Sequence, residues 1–137
     1  MKTLSSLLDA RYEDAIFHDS ELLSFTIDFA RASATFEFDL QCRATVPGQQ
    51  FSLQRGAVEF SGLCFFAVEP VTFPTRPDND PSLWIAADGS LPDERLQLSD
   101  PVPTSLPDGA FVHYLYSNST NSFIVIGATN AVFSWKD

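Results

Sequence analysis

Two histidines, two cysteines and a run of carboxylates are the residues of this chain that could do chemistry. His18 stands beside Asp19, and a carboxylate next to an imidazole can tune a general base. Neighbours on an extended chain point to opposite faces, however, so adjacency alone does not make a dyad. The competing reading has Asp19 or Ser20 capping a turn while His18 packs on a helix; it asks for no special geometry and is preferred. His113 lies between Val112 and Tyr114 and shares a strand face with Phe111 and Leu115. That register predicts a half-buried, hydrogen-bonded imidazole. Were His18 and His113 to meet, they would supply two metal ligands and need a carboxylate as the third. No His-x-His or His-Glu-x-x-His spacing supports such a centre, so no metal and no cofactor are expected.

The other candidates are weaker. Asp78-Asn79-Asp80 followed by Ser82 is similar to the start of a calcium loop. Leu83 occupies the position that needs glycine, and Asp80 precedes a proline, so a solvated acidic loop is the expectation. There is no Gly-x-Ser-x-Gly, no glycine-rich phosphate cradle, and no cysteine in an electropositive setting. Cys42 and Cys64 both fall in apolar runs, which predicts buried, inert thiols. A carboxylate pair for glycoside chemistry would be spatial, and no spacing favours one. No catalytic residue is assigned. Aromatic residues remain as binding candidates. Tyr114 and Tyr116 share a strand face, and Trp84 and Trp135 lie at strand-like positions. Tyr and Trp, with a polar tip, suit an interface edge better than Phe does.

The elements that must position these residues read mainly as strands. From His18 to Arg43, two alternating runs meet at a turn near Arg31-Ala32-Ser33. Leu23, Phe25, Ile27 and Phe29 fall on one face of the first, and Ala34, Phe36, Phe38, Leu40 and Cys42 on one face of the second. Before them, Leu4, Leu7, Leu8, Tyr12 and Ala15 recur at helical steps, predicting an α-helix over 3–16 with Thr3 as its cap. First strands are expected over 22–68. A turn stands at Val46-Pro47-Gly48, a bulge or turn at Arg55-Gly56, and a central strand covered on both faces at Leu63 to Val68. All the prolines except Pro47 lie between Pro70 and Pro107. The region 70–108 is therefore read as loops and short strands: one at Leu83 to Ala86, ended by Asp88-Gly89, and another around Leu96 and Leu98. Closing strands fill 110–136, with Phe111 to Tyr116 and Phe123 to Ile126 as a hairpin around Asn118 to Asn121, and Ala131 to Trp135 last. The expected fold is mainly β: a single antiparallel β-sandwich or half-open barrel with one N-terminal α-helix. A chain of 137 residues with 13 Phe suits one such domain, over 1–137.

Charge narrows the function classes. With 18 acids against 8 bases, the net charge of −10 repels phosphate backbones and anionic lipid surfaces, so neither nucleic acid nor membrane is an expected partner. A basic protein would be drawn in, with an attraction that weakens in salt. Lys2 is followed by too few apolar residues for an export signal, and no stretch is long enough to span a membrane as a helix. The expected compartment is the cytoplasm.

Phe17-His18-Asp19-Ser20-Glu21-Leu22, followed by two alternating strands, resembles the opening of groups of small bacterial β-rich proteins. These begin with a short helix and a His-Asp pair leading into the first strand. Some are similar to immunity proteins of polymorphic toxin systems, which bind and neutralise a cognate toxin. The resemblance covers residues 12–43 and transfers no site residues. It implies a non-enzymatic protein-binding module, such as an immunity protein. The acidic segment Asp78 to Asp108 is the expected contact surface, with Asp78, Asp80, Asp93 and Glu94 as its charges and Trp84 as anchor; Tyr114 and Tyr116 are further binding candidates. The alternative is a small-molecule or carbohydrate-binding β-domain, or an enzyme with its site between the sheets. Self-association through an edge strand is a third expectation.

Overall fold

Eight antiparallel strands form one sheet in the order β4-β7-β6-β5-β1-β2-β3-β8 in the computed structural model, which describes residues 3–70, 83–93, 96 and 102–136. The end strands β4 and β8 do not pair among the described residues, so the sheet is not closed. β1 (Ile16–Asp28) and β2 (Ser33–Arg43) form the expected hairpin. β2 is the most regular element: Ala34, Phe36, Phe38, Leu40 and Cys42 are buried, and every residue between them is half-buried. Fully burying a Phe side chain stabilises by about 1.5–3 kcal/mol, so this face anchors the fold. The sheet folds over so that Phe36, Phe38 and Leu40 share one core with Leu115, Ile124 and Ile126 from its far half. Among the described residues, the ladder between the two halves consists of two residue pairs of β1 and β5, Glu21↔Trp84 and Leu22↔Leu83.

The α-helix expected over 3–16 does not form. One 3-10 turn, Leu4–Leu7, stands in its place, and Thr3 makes no side-chain cap. Local bonds compete with helix propagation here. Ser6 Oγ donates to the Thr3 carbonyl, Asp9 accepts from the Arg11 amide, and Asp14 takes φ 57°. Short isolated helices are marginal in water, so these local alternatives are enough to win. Residues 3–13 run as a strap instead, with Leu4 fully buried in the core.

β1 begins at Ile16, earlier than the expected 22, and its register slips twice, between Ile16 and Glu21 and between Leu22 and Ser24. Phe25 and Ile27 keep the inward face opposite Phe36 and Ala34, but Leu23 falls at the second slip and Phe29 lies in the turn. Both are exposed. β3 (Phe51–Ser61) pairs with β2 along its whole length, so the bulge expected at Arg55-Gly56 is absent. Gly56 serves close approach: a Cβ there would lie 2.4 Å from Cζ of Phe133.

β4 (Phe65–Val68) is a short edge strand, half-buried throughout, where a covered central strand was expected. Cys64, just before it, is exposed, whereas Cys42 is buried; both thiols are free. β5 (Leu83–Leu91) continues through Asp88-Gly89 without the expected break. Leu96 lies outside any strand, and Leu98 falls outside the described residues. β6 (Phe111–Ser117) and β7 (Ser122–Ala128) form a hairpin around residues 118–121, and β8 (Asn130–Trp135) closes the chain against β3.

Candidate functional site

The two histidines end in opposite environments, each with its own carboxylate. Strand alternation places His113 on the inward face of β6 with Phe111 and Leu115, and its side chain is 2% exposed. Its ring meets Asp88, which β5 turns inward and which is 10% exposed; Nε2 and Oδ2 are 2.8 Å apart. The Leu4 amide donates to the same Oδ2 at 2.6 Å. That oxygen is therefore an acceptor, and His113 Nε2–H donates to it. Nδ1 is buried and has no hydrogen-bond partner among the described residues. A buried polar atom left unpaired costs about 1–3 kcal/mol. With the ring 2% and the carboxylate 10% exposed, the pair is held inside the sheet, a setting that suits a structural role better than a general base.

His18 and Asp19 project into solvent at the first register slip of β1. Asp19 takes φ 64°, which swings its carboxylate onto the neighbouring ring, and His18 Nδ1 lies 3.1 Å from Asp19 Oδ2. The expectation that adjacent residues diverge fails here because the left-handed residue breaks strand alternation. Ser20 does form a turn bond, donating to the Phe17 carbonyl, and both Ser20 and Phe17 are fully buried. At 59% exposure His18 stands on open surface and packs on no helix. His18 and His113 do not join, and no cluster of three metal-ligating side chains exists among the described residues.

The binding residues scatter. Asp78, Asp80 and Glu94 lie outside the described residues. Trp84 is half-buried and pairs with Glu21 across the β1–β5 junction. Tyr114 is buried in a second cluster with Val112 and Val125, and Tyr116 is half-buried with its hydroxyl donating to Asn121. Both tyrosine rings contact Phe123, so they pack a secondary core and offer little free surface. Asp93, with Leu91, Leu96, Val102, Leu106 and Phe111, lines a cavity of about 820 Å³ on that side of the sheet.

Two surface features were not singled out from sequence. Phe29 is 88% exposed in the β1–β2 turn, which Asp28 closes by accepting from the Arg31 amide. The alternation that placed Phe29 inward ends one residue earlier, and only the turn's exact length decides this. The outward face of β1–β3 carries Glu21, Glu37, Asp39 and Glu59 against two cations, Arg55 opposite Asp39 and Lys136, whose Nζ lies 3.5 Å from Glu37 Oε1. Asp39 binds Arg55 through both carboxylate oxygens, and this bond and the surrounding acids push the Arg55 guanidinium above its ordinary value. The face thus keeps a negative balance.

No family model matches the chain, and no curated protein does either. A crystal structure of an uncharacterised protein from Neisseria gonorrhoeae is similar in fold, with a TM-score of 0.50 at 15% identity. The match covers 88% of this chain and 95% of that one. At that identity the likeness concerns the fold alone.

Proposed function

We propose that this chain is a non-enzymatic protein-binding module for a basic partner, with toxin neutralisation by an immunity protein as its most specific form. The observation that carries the reading is Phe29, an 88% exposed aromatic at a hairpin turn of a chain with net charge −10. An exposed aromatic costs solvation free energy in the free protein and repays it when a partner covers it. The outward carboxylates of β1–β3 would steer a basic surface towards the same hairpin. This moves the proposed contact away from the Asp78 to Asp108 segment and onto β1–β3. The half-open barrel expected from the sequence is the form of the fold proposed here, supported by end strands that do not pair among the described residues. Two free thiols, one of them exposed, support a cytoplasmic setting, where thiols remain reduced.

The test is capture from lysate with tagged wild type, Phe29→Ser and Glu21→Gln/Glu59→Gln in parallel. A basic protein retained by wild type and lost by Phe29→Ser supports the reading. Retention that is equal in all three overturns the surface.

A second reading rests on the cavity. Its 820 Å³ falls within the range of small-molecule sites, about 300–1,000 Å³, and its lining is mostly apolar. A metabolite panel read by thermal shift separates the two readings, since a ligand bound only to the native state raises the melting temperature.

A further inference from the structure

We propose that residues 3–13 form a strap that the Asp88–His113 pair latches, and that the strap opens as a unit while the strands stay paired. The strap crosses from one half of the sheet to the other without joining a ladder. Leu4 N–H reaches Asp88 on β5 at one end. Midway, the indole N–H of Trp135 on β8 donates to Asp9 at 2.9 Å, and Tyr12 stacks edge-on to Trp135. At the far end the Arg43 amide donates to the Glu13 carbonyl at 2.8 Å. Point attachments of this kind release at far lower free energy than paired strands, which must lose a whole register at once.

The next residue, Asp14, supplies a pivot. It is exposed and holds φ 57°, a backbone region that a non-glycine residue occupies at some strain. The inner end supplies the latch. One carboxylate oxygen accepts from both the Leu4 amide and His113 Nε2, so a single group sets both bonds. Opposing it is His113 Nδ1, buried and without a hydrogen-bond partner among the described residues. Opening returns the Leu4 amide to water and lets solvent reach the ring. The closed form is favoured by burying Leu4 and by the shared acceptor; the open form is favoured by relief of that unpaired nitrogen. Opening would expose the apolar side of Leu4, Leu7 and Leu8 and the end of the core they cover.

Hydrogen exchange and limited trypsin cleavage at the exposed Arg11 test this on the full chain. In wild type, amides of residues 4–8 should exchange through an opening that leaves β2 and β3 protected. Exchange of those amides only together with β2 and β3 overturns the proposal and needs no variant. Asp88→Ala leaves two buried donors without an acceptor, so cleavage at Arg11 should rise at least about ten-fold with β2–β3 protection kept. Asp88→Asn, which retains one acceptor oxygen, should give a smaller rise. Unchanged cleavage in a folded Asp88→Ala, or an equal loss of protection in every strand, would contradict the latch.

Discussion

Gly56→Ala is the sharpest test of how β8 docks on the sheet. Gly56 pairs with Phe38 on one side and Trp135 on the other, and Phe133 lies across it. An added Cβ would stand 2.4 Å from Cζ of Phe133, 2.6 Å from Cε2 and 3.3 Å from Cδ1 of Leu40. To regain the 3.4 Å of ordinary contact the ring must retreat by about 1 Å. Phe133 is not free to do so without loss, because it stacks edge-on with Trp135 at 4.7 Å and Phe17 at 5.9 Å. Overpacking of this kind costs about 1–3 kcal/mol. Working the other way, alanine in place of a strand glycine gains about 0.4–1 kcal/mol by restricting the unfolded chain. The net expectation is a loss of about 1–2 kcal/mol in urea unfolding, with the slope unchanged. Phe133→Leu should recover part of that loss in the Gly56→Ala background, giving a coupling of at least about 0.5 kcal/mol between the two sites. A Gly56→Ala protein as stable as wild type, or more stable, would refute the crossing of Phe133 over β3.

Three further outcomes follow from the same contacts. Cys64 should react with a thiol reagent in the folded protein while Cys42, whose thiol burial pushes upward, reacts only on unfolding; one thiol titrating before denaturant and two after it is the expected count. Ala32 holds φ 47° in the β1–β2 turn; Ala32→Gly should stabilise by about 0.5–1 kcal/mol, the relieved strain exceeding the added chain entropy, as read by urea unfolding. Asp9 sits below the usual carboxylate range because the Arg11 amide, then the Trp135 indole, donate to its charged form. A depressed carboxylate contributes stability that is present above its unfolded value and lost as pH falls through the folded one. Trp135 emission should therefore shift below about pH 4, and Asp9→Ala should abolish that shift.

The strands were legible where hydrophobic period and turn chemistry agreed. β2 alternates without interruption, and Asn118 to Asn121 marks the β6–β7 turn, with Asn121 at φ 49°, a conformation asparagine tolerates. Short-range pattern failed where long-range contacts decided. The helical spacing of Leu4, Leu7 and Leu8 is real, yet Leu4 is held by a carboxylate 84 residues away. Asp88-Gly89 carries a turn signal that the ladder overrides, because its carboxylate finds His113 and the Leu4 amide inside. His113 was placed on the correct strand face, but its partner lies 25 residues away and no spacing announces it. The left-handed Asp19 similarly escapes any alternation rule, and with it the meeting of His18 and Asp19.

Phe29 and the acidic outward face of β1–β3 form the proposed contact for a basic protein. Titration of the captured partner against wild type and Phe29→Ser, at low and moderate salt, tests it most directly. The expected result is a loss of about 30-fold or more in affinity for Phe29→Ser at both salts, the measure of an aromatic anchor, with wild-type affinity also falling as salt rises. Equal affinities for the two proteins, with no dependence on salt, would contradict it.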